Sequence, residues 1–304
     1  VAREDIEFTA QGATMRGWFY PADDSSGEAP CVVLSHGFSA VKEMWLDHYA
    51  EVFQAAGLSC LVYDHPGFGA SDPLPGTPRQ EIDPWQQIRC TQHAITYAQS
   101  RPDVNADRIG LWGTSYSASH AFVVAATDHR VKAVVTQVPA ISGTASFTSQ
   151  IRIDHWAGTD AAFAGERLAR MNGAAPTMMP VVTEDPAGHA ALGHRDSYEW
   201  FTTHADRAPT WRNELTVQSV EFVRGYDIQH WIPLISPTPL LMIVAPHDRV
   251  TDGQIALAAY ETALQPKKLV TIPGGHFDSY TGPNFDTTSQ AARDWFLEHL
   301  PTQN

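Results

Sequence analysis

The pentapeptide Gly113-Thr114-Ser115-Tyr116-Ser117 sets a serine between small residues. A short apolar run, Arg108-Ile109-Gly110-Leu111-Trp112, precedes it, and a stretch of helical character at 118–127 follows. A serine at so tight a strand-to-helix turn holds its hydroxyl clear of the sheet, which is the geometry of the G-x-S-x-G nucleophile elbow. Small residues two before and two after the serine let the backbone bend. The last position is Ser117 rather than glycine, a side chain small enough to be tolerated there. A serine hydroxyl is a weak nucleophile at neutral pH; it needs an adjacent base, and the base needs an orienting acid.

Behind an elbow, the acid and then the histidine follow in loops after later strands. Asp248 comes just past the apolar run 239–245, and His276 just past the run 269–273, within Gly274-Gly275-His276-Phe277-Asp278. The order Ser115, Asp248, His276 is the required one. Asp252 is an alternative acid, although its position suits the start of the next helix, where a carboxylate favours the helix dipole. His247 reads as a neighbour of the acid. The chain has 14 histidines, but no H-x-x-x-H pair with a nearby carboxylate ligand, so no metal is expected.

An oxyanion hole has candidates as well. Ser35-His36-Gly37-Phe38-Ser39 follows the apolar run 31–35, and a turn there can aim the Phe38 backbone N–H at the serine. The N–H of Tyr116, the residue after the nucleophile, supplies the second donor. Such a donor contributes about 2.7–4 kcal/mol of transition-state stabilisation. His36 itself is expected to fix the turn through hydrogen bonds, and the Tyr116 side chain is a further candidate for substrate contact. The loop Asp64-His65-Pro66-Gly67-Phe68-Gly69-Ala70-Ser71-Asp72 reads as structural support for this turn.

These loops need a frame. Runs at 31–35, 58–63, 108–112, 131–139 and 239–245 are continuously apolar, as strands covered on both faces are. Helical periodicity lies between them at 44–57, 83–100, 118–127, 253–264 and 287–300, while 5–10 and 14–20 form a hairpin-like start around Gln11-Gly12. Asp83, Pro84 and Gln86 open one helix with a cap and a capping-box pattern. A loop rich in Asp, Ser and Gly spans 21–30. The expected fold class is α/β, a mostly parallel central sheet with helices on both faces. Ligands then sit outside the carboxyl ends of the strands.

Residues 142–232 break the alternation. A structureless loop of that length is implausible inside a domain, so this segment is expected to be an inserted, largely helical cap on a core formed by 1–141 and 233–304. Its aromatic and methionine residues are expected mainly to pack, with some walling an apolar pocket; Trp156, Met171, Met178, Trp200 and Trp231 are the candidates.

Composition bounds the partners. The 304 residues are 43% hydrophobic and 18% charged, with a formal net charge of −14. So acidic a chain repels phosphate backbones and anionic lipid, which disfavours nucleic acid and membrane-surface partners and leaves a small molecule. No apolar run reaches the length of a membrane span. Cys31, Cys60 and Cys90 are odd in number and widely spaced, and read as buried thiols rather than a disulfide or zinc framework. The first residues carry no signal-peptide pattern; because the chain starts at Val1 rather than Met, a removed leader stays open beside the cytoplasmic default. A homodimer is expected only on general frequency.

The residues His36-Gly37-Phe38, the stretch 63–72, the elbow at 113–117, Pro246-His247-Asp248 and 274–278 together resemble the α/β-hydrolase superfamily across essentially the whole chain. More narrowly, 34–57 and 79–88 look like a bacterial and fungal group of serine hydrolases bordering the dienelactone-hydrolase-like and X-prolyl-peptidase-like enzymes. Some fungal members of that group are described as polyketide acyltransferases or thiohydrolases. The resemblance implies an acyl-serine intermediate and no cofactor. Dienelactone hydrolases themselves use a cysteine nucleophile, and dehalogenase and epoxide-hydrolase relatives an aspartate; Ser115 departs from both. The expected function is hydrolysis of a small to medium, rather apolar carboxylic ester or lactone. Acyl transfer or thioester cleavage in natural-product metabolism is the main alternative. Carbon–carbon bond hydrolysis, peptidase action and a non-catalytic binding protein on the same fold are others.

Overall fold

One two-residue turn decides how the chain enters its sheet. In the computed structural model, which describes residues 2–23, 27–185 and 188–300, β1 (Glu4–Ala10) and β2 (Ala13–Tyr20) pair antiparallel. Gln11 and Gly12 both take positive φ, 49° and 84°. That is what a two-residue hairpin matched to the right-handed strand twist requires. Ile6, Phe8 and Ala10 of β1 are buried while their neighbours are exposed, so this strand covers one face only. Part of the loop expected at 21–30 falls outside the described residues.

The remaining strands are the continuous apolar runs. β3 (Ala29–Ser35) leads to α1 (Leu46–Gln54), and β4 (Ser59–Tyr63) leads to α2 (Pro84–Ser100). β5 (Val104–Thr114) is followed at once by α3 (Tyr116–Thr127), then by β6 (Val131–Gln137). After a long interval come β9 (Leu240–Val244), α8 (Gly253–Thr262), β10 (Lys267–Thr271) and α9 (Gly282–His299). The eight strands lie in the order β1-β2-β4-β3-β5-β6-β9-β10, parallel from β4 onward.

Helices cover both faces. Ile88 and Ala94 of α2, Phe122 of α3 and Ala256 of α8 share one buried cluster, and Tyr49 and Phe53 of α1 with Trp295 and Phe296 of α9 share the other. Gly110 in β5 lets α9 sit flush, since a Cβ there would lie 2.8 Å from the Phe296 ring. α2 is capped as its sequence suggests: Asp83 accepts from the N–H groups of Trp85 and Gln86 at 2.9 and 3.2 Å. Two features differ from the sequence reading in ways that have a physical reason. α9 starts at Gly282 rather than 287, because Pro283 is tolerated in a first helical turn. β10 is only partly buried, because it is the sheet's edge strand.

Between β6 and β9 the chain forms α4 (Gly143–Gln150), α5 (Trp156–Met171), β7 (Met178–Met179), α6 (Arg195–His204), β8 (Leu215–Thr216) and α7 (Val217–Arg224). β7 and β8 pair with each other in a ribbon separate from the main sheet. The segment's ends are tied together: the Gly143 N–H donates to the Tyr226 carbonyl at 3.0 Å, and the Ile228 N–H to the Ile141 carbonyl at 3.1 Å. Among the described residues, no helix is long and apolar enough to cross a membrane. Cys31, Cys60 and Cys90 are all buried and unbridged.

Candidate active site

Three loops at the carboxyl ends of β5, β9 and β10 meet at one point. Ser115 sits at φ 56°, ψ −119°, a strained conformation for a residue with a Cβ. Its N–H donates to the Gln137 carbonyl at 2.8 Å, and its carbonyl accepts from Ala140 N–H at 3.0 Å, so β6 and the segment after it brace the turn. Gly113 is required by this bend: a Cβ there would lie 2.4 Å from the Ser117 carbonyl oxygen.

Asp248 is fixed by the turn it begins. One carboxylate oxygen accepts from the N–H groups of Val250 and Thr251 at 2.7 and 3.1 Å; the other accepts from Thr251 Oγ1 at 2.8 Å. That second oxygen also lies 2.6 Å from His276 Nδ1, and His276 Nε2 lies 2.9 Å from Ser115 Oγ. A carboxylate only accepts, so Nδ1 carries the imidazole proton and Nε2 is free to accept the serine's. Burial disfavours the charged form of Asp248. The charge and hydrogen bond of His276 and the bonds from Thr251 outweigh that, holding the carboxyl below the ordinary carboxylate value. Gly274, at φ 91°, and the bond from Gly275 N–H to Asp278 (2.7 Å) shape the loop that presents His276. Asp252, the alternative acid, instead caps α8, accepting from the N–H groups of Gln254 and Ile255.

The turn at 36–38 lies against the serine. A Cβ on Gly37 would come within 3.2 Å of the Ser115 Cβ. Among the described residues, the backbone N–H groups of Phe38 and Tyr116 have no protein acceptor. His36 does hold the turn: Nδ1 bonds the Gly37 carbonyl at 3.0 Å, and Nε2 accepts from His65 N–H at 3.0 Å. The 63–72 loop locks onto the same region through Asp64, whose carboxylate takes the Lys42 N–H at 2.8 Å and the Lys42 ammonium at 2.6 Å. Tyr116 differs from expectation in part. Its ring packs on Phe38 and His120, with centroids 5.7 and 4.6 Å away, and its buried hydroxyl has no partner among the described residues.

A cavity of about 1740 Å³ opens above Ser115. It exceeds the ~300–1,000 Å³ of most small-molecule sites. Phe147, Phe163, Met179, Trp200 and Phe201 line it together with Phe38. Of the five expected wall residues, only Trp200 lines this cavity, stacked on Phe277 with centroids 5.0 Å apart. Met171 is 77% exposed at the end of α5. Met178 is 39% exposed, because side chains alternate along a strand and in β7 it is Met179 that reaches the cavity. Trp156 turns its indole N–H to the Ile151 carbonyl at 2.8 Å. Trp231 packs against the sheet's core. The sequence reading took the 64–72 loop as support for this turn and Ser117 as a tolerated small residue; it did not single out the side-chain bonds from Ser117 Oγ to His65 Nε2 (2.8 Å) and to the His36 carbonyl. Among the described residues, no group of three His, Cys, Asp or Glu side chains is placed to hold a metal ion.

Residues 30–283 match the family model of the alpha/beta hydrolase fold. The chain is 33% identical to the polyketide transferase grgF of a Penicillium species, over 98% of this chain and 97% of that one. It is 32% identical to the thiohydrolase aneE of Aspergillus aculeatus, over 87% and 83%. The quorum-quenching protein AidA of Acinetobacter baumannii is 28% identical over 98% and 96%. The crystal structure of the alpha/beta hydrolase GrgF from Penicillium superposes with a TM-score of 0.85 at 30% identity, covering 99% of this chain and all of that one. The chain belongs to the alpha/beta hydrolase fold family.

Proposed function

We propose that the protein is a serine-dependent acyl hydrolase that cleaves a rather apolar carboxylic ester or lactone. The observation that supports it most is the continuous chain from Asp248 through His276 to Ser115, with contacts of 2.6 and 2.9 Å. Ser115 Oγ attacks the substrate carbonyl carbon as its proton passes to His276 Nε2. The carbonyl electron pair moves onto oxygen, and the Phe38 and Tyr116 N–H groups take up that charge. The tetrahedral species collapses, the bond to the leaving alkoxide breaks, and His276 returns the proton to it. Water then attacks the acyl-serine by the same route and releases the acid. Asp248 stays ionised and stabilises the imidazolium formed in each half.

We read 142–232 as a cap over this site. The aromatic walls it contributes suit an apolar acyl group, and the volume leaves room for the upper end of the expected size range. Every step uses side chains or backbone of this chain, so no cofactor is part of the proposal. A cytoplasmic small-molecule enzyme remains the working assignment.

A second reading has its own support. The names of grgF and aneE state polyketide transfer and thiohydrolysis for those proteins. The same acyl-serine serves both; only the bond first broken and the second nucleophile differ. Turnover of p-nitrophenyl esters of increasing chain length, beside matched thioesters and with acceptor alcohols added, tests the readings. Preference for longer acyl esters with free acid as product supports the first. Faster thioester turnover, or a new ester formed from the alcohol, supports the second. Retention of full turnover by Ser115→Ala would remove both.

A further inference from the structure

In a trans peptide the C=O and N–H point in opposite directions. Whatever holds the Gly37 carbonyl therefore aims the Phe38 N–H. Two donors hold it: His36 Nδ1–H at 3.0 Å and the Ala40 N–H at 3.2 Å. A neutral imidazole that donates from Nδ1 keeps Nε2 bare, and the bare His36 Nε2 accepts the His65 N–H at 3.0 Å.

The preceding carbonyl, that of His36, is held as well. Ser117 Oγ donates to it. A hydroxyl has one proton, so the contact between Ser117 Oγ and His65 Nε2, at 2.8 Å, must be donated by the histidine. His65 thus carries its proton on Nε2. Its Nδ1 is then a bare acceptor, and among the described residues this buried ring nitrogen has no partner. His36, His65 and Ser117 are all essentially inaccessible to water, so no solvent substitutes for these bonds.

We propose that His36, His65 and Ser117 are positioning residues that jointly aim the Phe38 N–H at the developing oxyanion. Ser117 is then a working part of the site rather than a tolerated replacement of glycine. It lies two residues from Ser115 on the same turn into α3, so the element that carries the nucleophile also clamps the turn that carries the donor. Glycine at this position would leave the His36 carbonyl and the His65 Nε2–H without partners. The inference rests on the reading of Ser115 as nucleophile and of Phe38 N–H as an oxyanion donor.

The test uses a p-nitrophenyl ester that the wild type turns over, and the matching thionoester, whose C=S is a poor hydrogen-bond acceptor. Losing one oxyanion donor outright costs roughly 10²–10³ in kcat; a misdirected donor is expected to cost roughly 10- to 100-fold. Ser117→Ala should lower kcat for the oxo ester by that factor and leave KM within about twofold, because the contact is made only in the transition state. The thionoester should lose far less, so the oxo-to-thiono rate ratio falls. His65→Gln, which can offer an N–H near the imidazole Nε2, should retain most of the ratio, and His65→Leu should lose it. This pair carries the test if Ser117→Ala fails to fold by circular dichroism. Equal losses on both esters, or a wild-type ratio in Ser117→Ala and His65→Leu, would overturn the proposal. Ser115→Ala separates the two levels. If it is active, the nucleophile reading itself fails; if it is inactive while the relay variants keep the wild-type ratio, the relay alone fails.

Discussion

Replacing Asp248 by asparagine changes one atom, and the surrounding bonds dictate which way the amide must face. The N–H groups of Val250 and Thr251 both point at one carboxylate oxygen, at 2.7 and 3.1 Å. Only the amide oxygen can accept them, so the amide NH₂ must take the other position, 2.6 Å from His276 Nδ1. Two donors cannot share that contact. His276 is forced to move its proton to Nε2, where it faces Ser115 Oγ and can no longer accept the serine's proton. The nucleophile loses its base while the cavity and the donor turn stay in place. The wrong tautomer costs on the order of 10⁴ in kcat, about 5.4 kcal/mol of barrier. Steady-state kinetics on a p-nitrophenyl ester measure it, with the thermal midpoint confirming an intact fold. A kcat within tenfold of wild type in a folded Asp248→Asn protein would refute the reasoning.

Other outcomes follow from the same contacts. Lys42→Met strips the buried Asp64 carboxylate of the ammonium 2.6 Å away and should lower stability by about 3–5 kcal/mol in urea unfolding; a loss under ~1 kcal/mol would contradict the ion pair's role. Gly113→Ala drives a methyl to 2.4 Å from the Ser117 carbonyl, so both activity and the thermal midpoint should fall. Gly158→Ala, inside α5 and facing open space, should instead gain roughly 0.5–1 kcal/mol; the opposite ordering of the two midpoints would refute the packing argument. His120 bonds the Tyr226 hydroxyl and the Gln87 side-chain amide oxygen, and burial pushes its imidazole down to about 3. The unfolded chain, with a histidine value near 6.5, therefore binds more protons across that window. Stability should be full above pH ~6.5 and fall as pH drops toward 3. The urea midpoint at pH 7.5 and 5.0 checks this. The drop should be smaller in His120→Gln, and a midpoint that does not fall in the wild type would contradict it.

Ser115 and Asp248 were legible because each follows a run whose apolar continuity marks a covered strand, and His276 because it follows the last strand-like run, at the sheet's edge; a parallel sheet delivers all such loops to one edge. The hairpin at Gln11-Gly12 and the Asp83 cap were legible for a local reason, since their chemistry lies within a few residues. The cavity wall was not. α4, α5 and α6 expose much of their surface, so apolar content in 142–232 does not say which side faces inward. Met178 and Met179 show the limit: one residue of strand register decides between solvent and cavity. The relay of His36, His65 and Ser117 joins positions 29 to 81 residues apart, and no spacing pattern reports such a bond. Ser117 announced itself only as a departure from the elbow pattern.

The central claim is that Ser115 becomes acylated. Intact-mass spectrometry of the wild type and of Ser115→Ala, each mixed with a panel of esters, lactones and thioesters and quenched in acid within the first turnovers, tests it most directly. The account predicts an acyl adduct on the wild type, absent from the variant, with a mass equal to the acyl group of the substrate consumed. Substrate turnover with an equal adduct on both proteins, or undiminished turnover by Ser115→Ala, would contradict it.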